Sequence, residues 1–274
     1  MKYLSYYGLE KDPFQKEIKT EELYESMEFK QGLSRLEYLK EIKGIGLITG
    51  VVGIGKTALL RKFKSQLNPE KYNVINVSIN NIGKFEFLNL VCRALGIETG
   101  SCYPSTLKQN IQEMIKKEKE EYGKETIIII DNAERLTRAM LLDMDYLYEF
   151  NYNSIDYTSI ILCGSDDIRA ELSKNIYESL RQRIICMYKM QGITKDEAKD
   201  YIKTRLKLAN QTNDIFSESA INALYNASHG VIRKLNTLIN LSLMIGYERQ
   251  SQVIDEEIVR LAIGENKLWE TMIF

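Results

Sequence analysis

The sequence has few of the residues that interrupt chains or bind transition metals. Its 274 residues include three prolines, one histidine (His229) and four cysteines, none of which is in a C-x-x-C pair. So few prolines leave no proline-rich linker between domains. A zinc site would lack its usual Cys and His ligands. These absences exclude a zinc-finger protein and favour a chain that folds without long flexible linkers.

Long apolar runs are also missing. The first residues, Met1–Tyr7, contain no apolar signal core, and no window of about 18 residues is continuously apolar. The scattered cysteines are typical of reduced thiols rather than of a disulfide framework. We therefore expect a cytoplasmic protein without a membrane segment.

Charge of one sign is not in excess either. The 37 Lys and Arg residues against 38 Asp and Glu residues give a net charge of −1. Dedicated nucleic-acid-binding domains are usually strongly basic, so a single molecule is not expected to bind DNA tightly. The net charge does not exclude a local basic face. The apolar content of 44% is ordinary for a globular protein and suits one large domain or two small ones.

What the sequence does contain is a complete G-x-x-x-x-G-K-T loop at Gly50–Thr57. An apolar run that predicts a strand precedes it and a helical pattern follows it, which is the context that this phosphate-binding motif requires. Glycines let backbone N–H groups wrap around an anion, and the helix N-terminus adds its dipole. We predict that Lys56 reaches the β- and γ-phosphates and that Thr57 binds Mg²⁺. The residues expected to hold the nucleotide are Gly50, Gly53, Ile54, Gly55, Lys56, Thr57 and Ala58.

A second apolar run, Thr126–Ile130, ends in Asp131. A run without alternation predicts a strand that is buried on both faces of a parallel sheet. Ligands of such sheets bind at the carboxyl ends of the strands. Asp131 is therefore the expected second anchor for Mg²⁺.

Strand and helix patterns alternate from residue 45 to 190 and predict an α/β domain with a parallel sheet of about five strands and helices on both faces. One of these helices is predicted over Asp166–Leu180. From a capping box at Thr194 and Glu197 onward the patterns are helical only. The predicted helices there are 195–209, 217–227, 231–246 and 255–264. We divide the chain into an N-terminal arm and helix (1–44), an α/β domain (45–191), a helical lid (192–266) and a tail (267–274).

Two aromatic residues, one in the arm and one in the tail, each have two possible interpretations. Phe14, in an arm predicted to be extended, is a candidate to cover the adenine base, but packing into the core is an equal alternative. Trp269, the only tryptophan, lies in the tail. That tail either docks a partner or packs back on the lid.

With these motifs the chain resembles the AAA+ ATPases, P-loop proteins with a three-layer α/β sandwich and a helical lid. Within them it is most similar to the ExeA-like group, which includes ATP-dependent regulators of DNA transposition. Gly50–Thr57 matches the Walker A motif, and Ile128–Asp131 matches the apolar part of Walker B. Similarity to the N-terminal arm of the group is carried by Tyr7-Gly8-Leu9, Pro13-Phe14 and Leu23-Tyr24-Glu25-Ser26.

The resemblance implies roles for further polar residues. Ser165 matches the family's sensor near the γ-phosphate, and Arg233 matches the second sensor, in the lid. Either Arg181 or Arg183 is implied to be a finger for the nucleotide of a neighbouring subunit, and each arginine has an alternative as a surface ion-pair partner.

One departure from the family concerns the chemistry. Asn132 stands where the family has the Glu that polarises the attacking water, and Asn orients water without accepting its proton. Glu134, two residues on, is a possible replacement. ATP binding is thus a stronger expectation than brisk hydrolysis. Ile232 also replaces a Pro of the second sensor motif, a change that concerns the turn rather than the chemistry.

The implied function is an ATP-dependent regulator that binds ATP and Mg²⁺ between the α/β domain and the lid. It is implied to assemble into a ring or filament on double-stranded DNA and to recruit a transposase. Candidate DNA contacts by charge alone are Lys84, Lys108, Lys116, Lys117 and Lys119. Two alternatives stay open, namely a secretion or remodelling motor and a nucleotide-dependent switch with little hydrolysis. Secretion members of the family carry a membrane segment and a cell-wall-binding domain beyond the ATPase, and we expect neither within these residues.

Overall fold

The computed structural model describes residues 2–100, 103–148 and 157–271. Contacts divide the chain into two compact units. The sheet unit contains Gln31–Val52 and Lys56–Met190, and the helical unit contains Met1–Lys30, Gly53–Gly55 and Gln191–Phe274. Each unit has its own buried apolar core.

The sheet unit is built on five parallel strands in the order β2-β3-β4-β1-β5. The strands are β1 (Gly44–Thr49), β2 (Tyr72–Ser78), β3 (Glu125–Asp131), β4 (Thr158–Gly164) and β5 (Ile184–Lys189). Residues Thr126–Ile130 of β3 are all buried, as the uninterrupted apolar run predicts. The prediction of a parallel five-stranded sheet is confirmed.

Helices cover both faces of this sheet. The helices and short helical turns of the sheet unit are α2 (Met27–Ile42, which begins in the helical unit), α3 (Lys56–Gln66), α4 (Lys84–Ala94), α5 (Pro104–Tyr122), α6 (Arg138–Leu142), α7 (Met144–Tyr148), α8 (Asp167–Leu172) and α9 (Glu178–Arg183). Ile45 and Leu47 of β1 share a core with α4 and α5. Gly46 lies between these two residues, and a Cβ on it would point to the opposite face of the sheet, 2.5 Å from the Leu39 side chain of α2. The unit is therefore a three-layer α/β sandwich.

One helix prediction in this unit is wrong. The pattern predicts a continuous helix over Asp166–Leu180, whereas the structure has α8, a 3-10 turn at Asn175–Tyr177 and then α9. Arg181 of α9 donates to the carbonyl oxygens of Leu172 and Lys174 at 2.7 and 2.6 Å. A side chain thus satisfies carbonyls at the end of α8 that a continuous helix would have paired internally.

The helical unit has four longer helices around an apolar core. They are α10 (Lys195–Lys207), α11 (Glu218–Ser228), α12 (Ile232–Glu248) and α13 (Glu256–Thr271), preceded in the chain by the short α1 (Lys2–Tyr6). The capping box predicted at Thr194 and Glu197 is present at the start of α10. The predicted arm is not extended, because α1 and the turns after it bury Tyr3, Tyr7 and Leu9 in this core.

The unit boundaries differ from the predicted ones at both ends. Residues up to Lys30 group with the helical unit instead of forming a separate arm, and the later division falls after Met190. The predicted tail begins as helix, because α13 continues to Thr271. The side chains from Lys267 onward, that of Trp269 among them, lie outside the part of the chain that the structure describes, so the two interpretations of the tail stay open.

None of the helices in the described ranges is long and apolar enough to cross a membrane.

Glu197 links the starts of two helices within the helical unit. Its carboxylate accepts from the Met27 N–H at 2.7 Å and from the Thr194 N–H at 2.9 Å. Burial acts to raise the pKa of Glu197, but these N–H donors and the Thr194 hydroxyl hold it below its ordinary value. The ionised carboxylate therefore stabilises the folded state.

We expect Glu197→Gln to lower the free energy of unfolding by about 1 kcal/mol at pH 7, because it removes the charge while keeping one acceptor. The pKa is lower in the folded chain, so the contribution of Glu197 is present above the unfolded pKa and is lost as the pH falls through the folded pKa. Urea unfolding should give different free energies of unfolding for the wild type and Glu197→Gln at pH 7, and similar ones at low pH. Glu265→Gln, on the exposed surface of α13, is the matched control; equal effects of the two changes at pH 7 would contradict this assignment.

Candidate functional site

Several polar residues predicted for the site, all within the sheet unit, lie at one edge of the sheet. Because the strands are parallel, their carboxyl ends lie together, and β1 leads directly into the glycine loop. In the register Asp131 is paired with Cys163, and Thr49, the last residue before the loop, is paired with Gly164. The loop, Asp131 and the end of β4 therefore occupy the same edge.

The loop has the backbone that an anion cradle needs. Gly53 and Gly55 have φ values of 85° and 116°, which side chains of L-residues rarely tolerate. Lys56 opens α3, and its Nζ donates to the carbonyl oxygens of Gly50 at 2.7 Å and Val51 at 3.2 Å. The ammonium group is thus held at the mouth of the loop.

Asp131 is oriented by its neighbours. Its Oδ1 accepts from the Asn132 N–H at 3.0 Å, and the Cys163 thiol donates to the same carboxylate. Burial raises the pKa of Cys163, the Asp131 charge raises it further, and Lys56 opposes both effects. The thiol stays protonated and serves as a hydrogen-bond donor to Asp131. Sequence reasoning missed this role of Cys163; its place two residues before Ser165 on a predicted strand was the available signal.

Glu134 is joined to the end of β4. It lies in the 3-10 turn Ala133–Arg135 that follows β3, and its Oε2 accepts from the Ser165 N–H at 3.0 Å. The Ser165 hydroxyl donates in turn to Asp167 at 2.7 Å. A Cβ on Gly164 would lie 2.5 Å from the Glu134 Oε2, so the glycine makes room for this carboxylate. The structure thus brings Glu134 and Ser165 together.

Asn132 points to the other side of β3. It adopts a left-handed backbone conformation with φ 57°, which Asn tolerates better than most residues. Its Nδ2 donates to the Ser78 hydroxyl of β2 at 3.2 Å. The residue at the position of the family's Glu is therefore engaged with the strand that lies away from β4 and β1.

Arg233 is placed at the start of α12, within the helical unit. Contacts also assign Gly53–Gly55 to that unit. The Arg233 N–H donates to the Gly53 carbonyl at 3.1 Å, and a Cβ on Gly53 would lie 2.5 Å from the Arg233 Cβ. The side chain of Arg233 is exposed.

The two finger candidates both have partners in their own chain. Arg181 caps α8, as described above, and Arg183 donates through Nη1 to the Ser179 carbonyl at 3.2 Å and to the Ser179 hydroxyl. These contacts do not distinguish the two arginines as finger candidates, and the role stays a prediction for both.

Phe14 packs in the core of the helical unit. Its side chain is 3% exposed, and its ring centroid lies 6.4 Å from that of Tyr201. The sequence left two roles open for Phe14, covering the adenine base and packing into the core. The structure shows the packing role. A ring so buried does not present a face to adenine in this conformation.

The lysines proposed from charge alone all have acidic partners. Lys84 and Lys108 both contact Asp143, at 2.9 and 2.8 Å, and the three lysines further along α5 pair with glutamates. A paired lysine carries less net positive potential toward a phosphate backbone. The five lysines do not form an unpaired basic surface.

This geometry agrees with comparisons to known proteins. The family model of the AAA domain matches residues 40–172, which contain the glycine loop, Asp131 and Ser165. Residues 40–172 are an AAA domain. The sheet order, the loop and the helical unit together confirm the predicted P-loop AAA+ fold.

Relatives extend the similarity beyond the AAA domain. General secretion pathway protein A of Aeromonas hydrophila is 24% identical over 264 residues, which cover 96% of this chain and 48% of that protein. The chain thus spans about half the length of this relative. The match confirms the resemblance to the ExeA-like group.

Two solved structures share the fold. Cdc6p from Pyrobaculum aerophilum has a TM-score of 0.70 at 17% identity, covering 91% of this chain and 69% of that one. The Orc1 protein of Aeropyrum pernix, solved in complex with DNA, has a TM-score of 0.59 at 15% identity, covering 86% and 64%. Identities this low support a common fold and no more.

The contact between Gly53 and Arg233 can be tested by adding a methyl group. Gly53→Ala introduces both a strained φ and a clash with the Arg233 side chain, whereas Gly96→Ala introduces only the strain, at φ 76° with open space around it. We expect Gly96→Ala to cost about 1 kcal/mol and Gly53→Ala roughly 1–3 kcal/mol more. Urea denaturation of both variants measures the difference, and equal losses would show that the contact contributes nothing.

Proposed function

We propose that this protein is an ATP-dependent AAA+ regulator whose bound nucleotide controls its assembly on double-stranded DNA. The observation that carries the proposal is the placement of Lys56 and Asp131 at one edge of a parallel sheet, beside a glycine loop that opens a helix. A cationic side chain and a carboxylate at the loop of such a helix form a site for a phosphate chain with its metal ion.

Binding of ATP uses groups that are already near their working positions. Backbone N–H groups from Gly53 to Ala58 surround the phosphates, and Lys56 exchanges its carbonyl partners for phosphate oxygens. This exchange replaces neutral acceptors by charged ones, and hydrogen bonds between charged groups are the stronger kind. Anion binding at the loop is therefore favoured over the contacts of the free protein.

The donor set also fits Mg²⁺. Thr57, an exposed residue, carries a hydroxyl, and Asp131 carries a carboxylate oriented by two donors; oxygen ligands are those that Mg²⁺ prefers. These two residues would hold the ion, and a bound Mg²⁺ supplies positive charge that offsets the negative charge of the phosphates. The orientation of Asp131 by Asn132 and Cys163 is the kind of outer-layer support that metal ligands need.

Assembly follows from the arginines. A finger arginine acts on a neighbour's nucleotide, so a single protomer leaves its own finger unused. We assign this role to Arg183 or Arg181, and the role of sensing the γ-phosphate to Arg233. Nucleotide binding and subunit contacts are coupled if both complete the same site.

DNA is the proposed platform for the assembly. The resemblance to transposition regulators and the fold shared with a DNA-bound Orc1 protein support it. The net charge of −1 and the paired lysines mean that one protomer makes few phosphate contacts, so affinity has to be summed over many subunits. A transposase is the proposed partner that such a filament or ring recruits.

A motor of secretion or remodelling is the second candidate. The observation that favours it is the match to General secretion pathway protein A along 96% of the chain. Both candidates use the same ATP site. They differ in whether duplex DNA stimulates the protein.

The proposal is tested first at Lys56. Lys56→Ala should weaken ATP binding by about 10- to 100-fold, because it removes a charge-assisted bond to the phosphates. It should also abolish the ATP-dependent increase in particle size on duplex DNA. Lys64→Ala, on the exposed face of the same helix, is the control and should leave both properties unchanged. Fluorescence titration with a labelled ATP and light scattering provide the two measurements.

The outcomes separate the candidates. Nucleotide binding with DNA-dependent assembly supports the regulator, and DNA-independent turnover supports the motor. ATP that binds but leaves the protein monomeric with DNA present would refute the assembly proposal. A wild-type protein that does not bind ATP would refute every form of it.

A further inference from the structure

The side chains that follow β3 point to opposite sides of that strand. β3 lies between β2 and β4, and β1, which leads into the phosphate loop, lies beyond β4. Asn132 bonds to Ser78 on β2, and Glu134 bonds to the backbone of Ser165 after β4. The carboxylate of Glu134 is therefore on the loop side of Asp131, and the amide of Asn132 is on the far side.

The electrostatic surroundings of Cys163 place Glu134 in the same neighbourhood as the loop. Lys56, Asp131 and Glu134 all act on the thiol of this buried residue. The register and the hydrogen bond to the Ser165 N–H put the carboxylates of Asp131 and Glu134 at the carboxyl end of β4, which is the neighbour of β1. Lys56 and Asp131 are the residues to which the phosphate and metal-binding roles are assigned above.

The position of Glu134 is closely defined. Oε2 accepts the Ser165 N–H, and Gly164 provides the space that a Cβ would fill. Within the described ranges, Oε1 has no hydrogen-bond partner and the residue is half-buried. One oxygen thus holds the side chain in place while the other is available to a water molecule.

We propose that Glu134 is the catalytic carboxylate of ATP hydrolysis in this protein, acting in place of the glutamate that Asn132 replaces. The inference rests on the proposed ATP site. Glu134 accepts a proton from a water molecule as the water oxygen bonds to the γ-phosphorus. The bond from that phosphorus to the β,γ-bridging oxygen breaks, ADP and phosphate leave, and the proton passes to solvent. Hydrolysis therefore depends on Glu134, although the Walker B Glu is absent.

Two variants distinguish a catalytic role from a structural one. In Glu134→Gln the side-chain oxygen still accepts the Ser165 N–H, but the amide does not take a proton. Glu134→Ala loses both properties. We expect both variants to lower the single-turnover hydrolysis rate by about 10²- to 10⁴-fold, the usual contribution of a general base. Glu134→Gln should bind labelled ATP within about threefold of the wild-type affinity, because its amide oxygen keeps the Ser165 N–H contact and the loop residues that bind the phosphates are unchanged.

The control is Glu70→Gln, a charge removal at an exposed turn after α3, which should hydrolyse ATP at the wild-type rate. Thermal unfolding and ATP binding of each variant show that it is folded. A wild-type rate in Glu134→Gln with a loss in Glu134→Ala would show that Glu134 only positions Ser165, and would overturn the proposal. Wild-type protein that binds ATP without any turnover would also overturn it while leaving the ATP site intact. Absence of ATP binding would instead refute the proposed function itself.

Discussion

The parallel hydrogen bonding of β1, β3 and β4 is the constraint on which the site depends. In an antiparallel pair the ends of consecutive strands would alternate between the two edges of the sheet. Here the same edge receives the end of β1, with its phosphate loop, Asp131 from β3 and Ser165 just beyond β4. Residues more than 70 positions apart in the chain thereby become neighbours. The apolar surface of β3, buried on both faces, holds this register.

Backbone N–H groups and a thiol orient the two acidic side chains of the site. Asp131 is held by the Asn132 N–H and the Cys163 thiol, and Glu134 by the Ser165 N–H. Each acidic side chain thus has one oxygen engaged by a donor that belongs to a neighbouring strand or turn. Fixed donors of this kind reduce the freedom of a carboxylate and therefore the cost of placing it for chemistry.

Local sequence signals predicted most of the fold and part of the site. The β3 run, the capping box at Thr194 and the glycine loop are each encoded within a few residues, and the structure confirms the strand, the helix start and the loop context. The continuous helix predicted over Asp166–Leu180 was wrong, because the Arg181 side chain satisfies the broken end of α8 through a contact that no periodic pattern encodes. The prediction of an extended arm was also wrong, because the burial of Tyr7 and Phe14 depends on the apolar surface of the helical unit.

The sequence by itself determined the class of the protein. A complete glycine loop, an acid at the end of a buried strand and a change from alternating to purely helical patterns are local features, and they indicate an AAA+ nucleotide site. The tertiary structure decided the directions of side chains. Asn132 and Glu134 are two residues apart, and only the sheet order, with β2 on one side of β3 and β4 on the other, shows that Glu134 lies on the side of β3 where β4 and β1 are found. The physical reason is that a short turn after a strand can direct a side chain to either neighbour, and the partners available on those neighbours determine which one it takes.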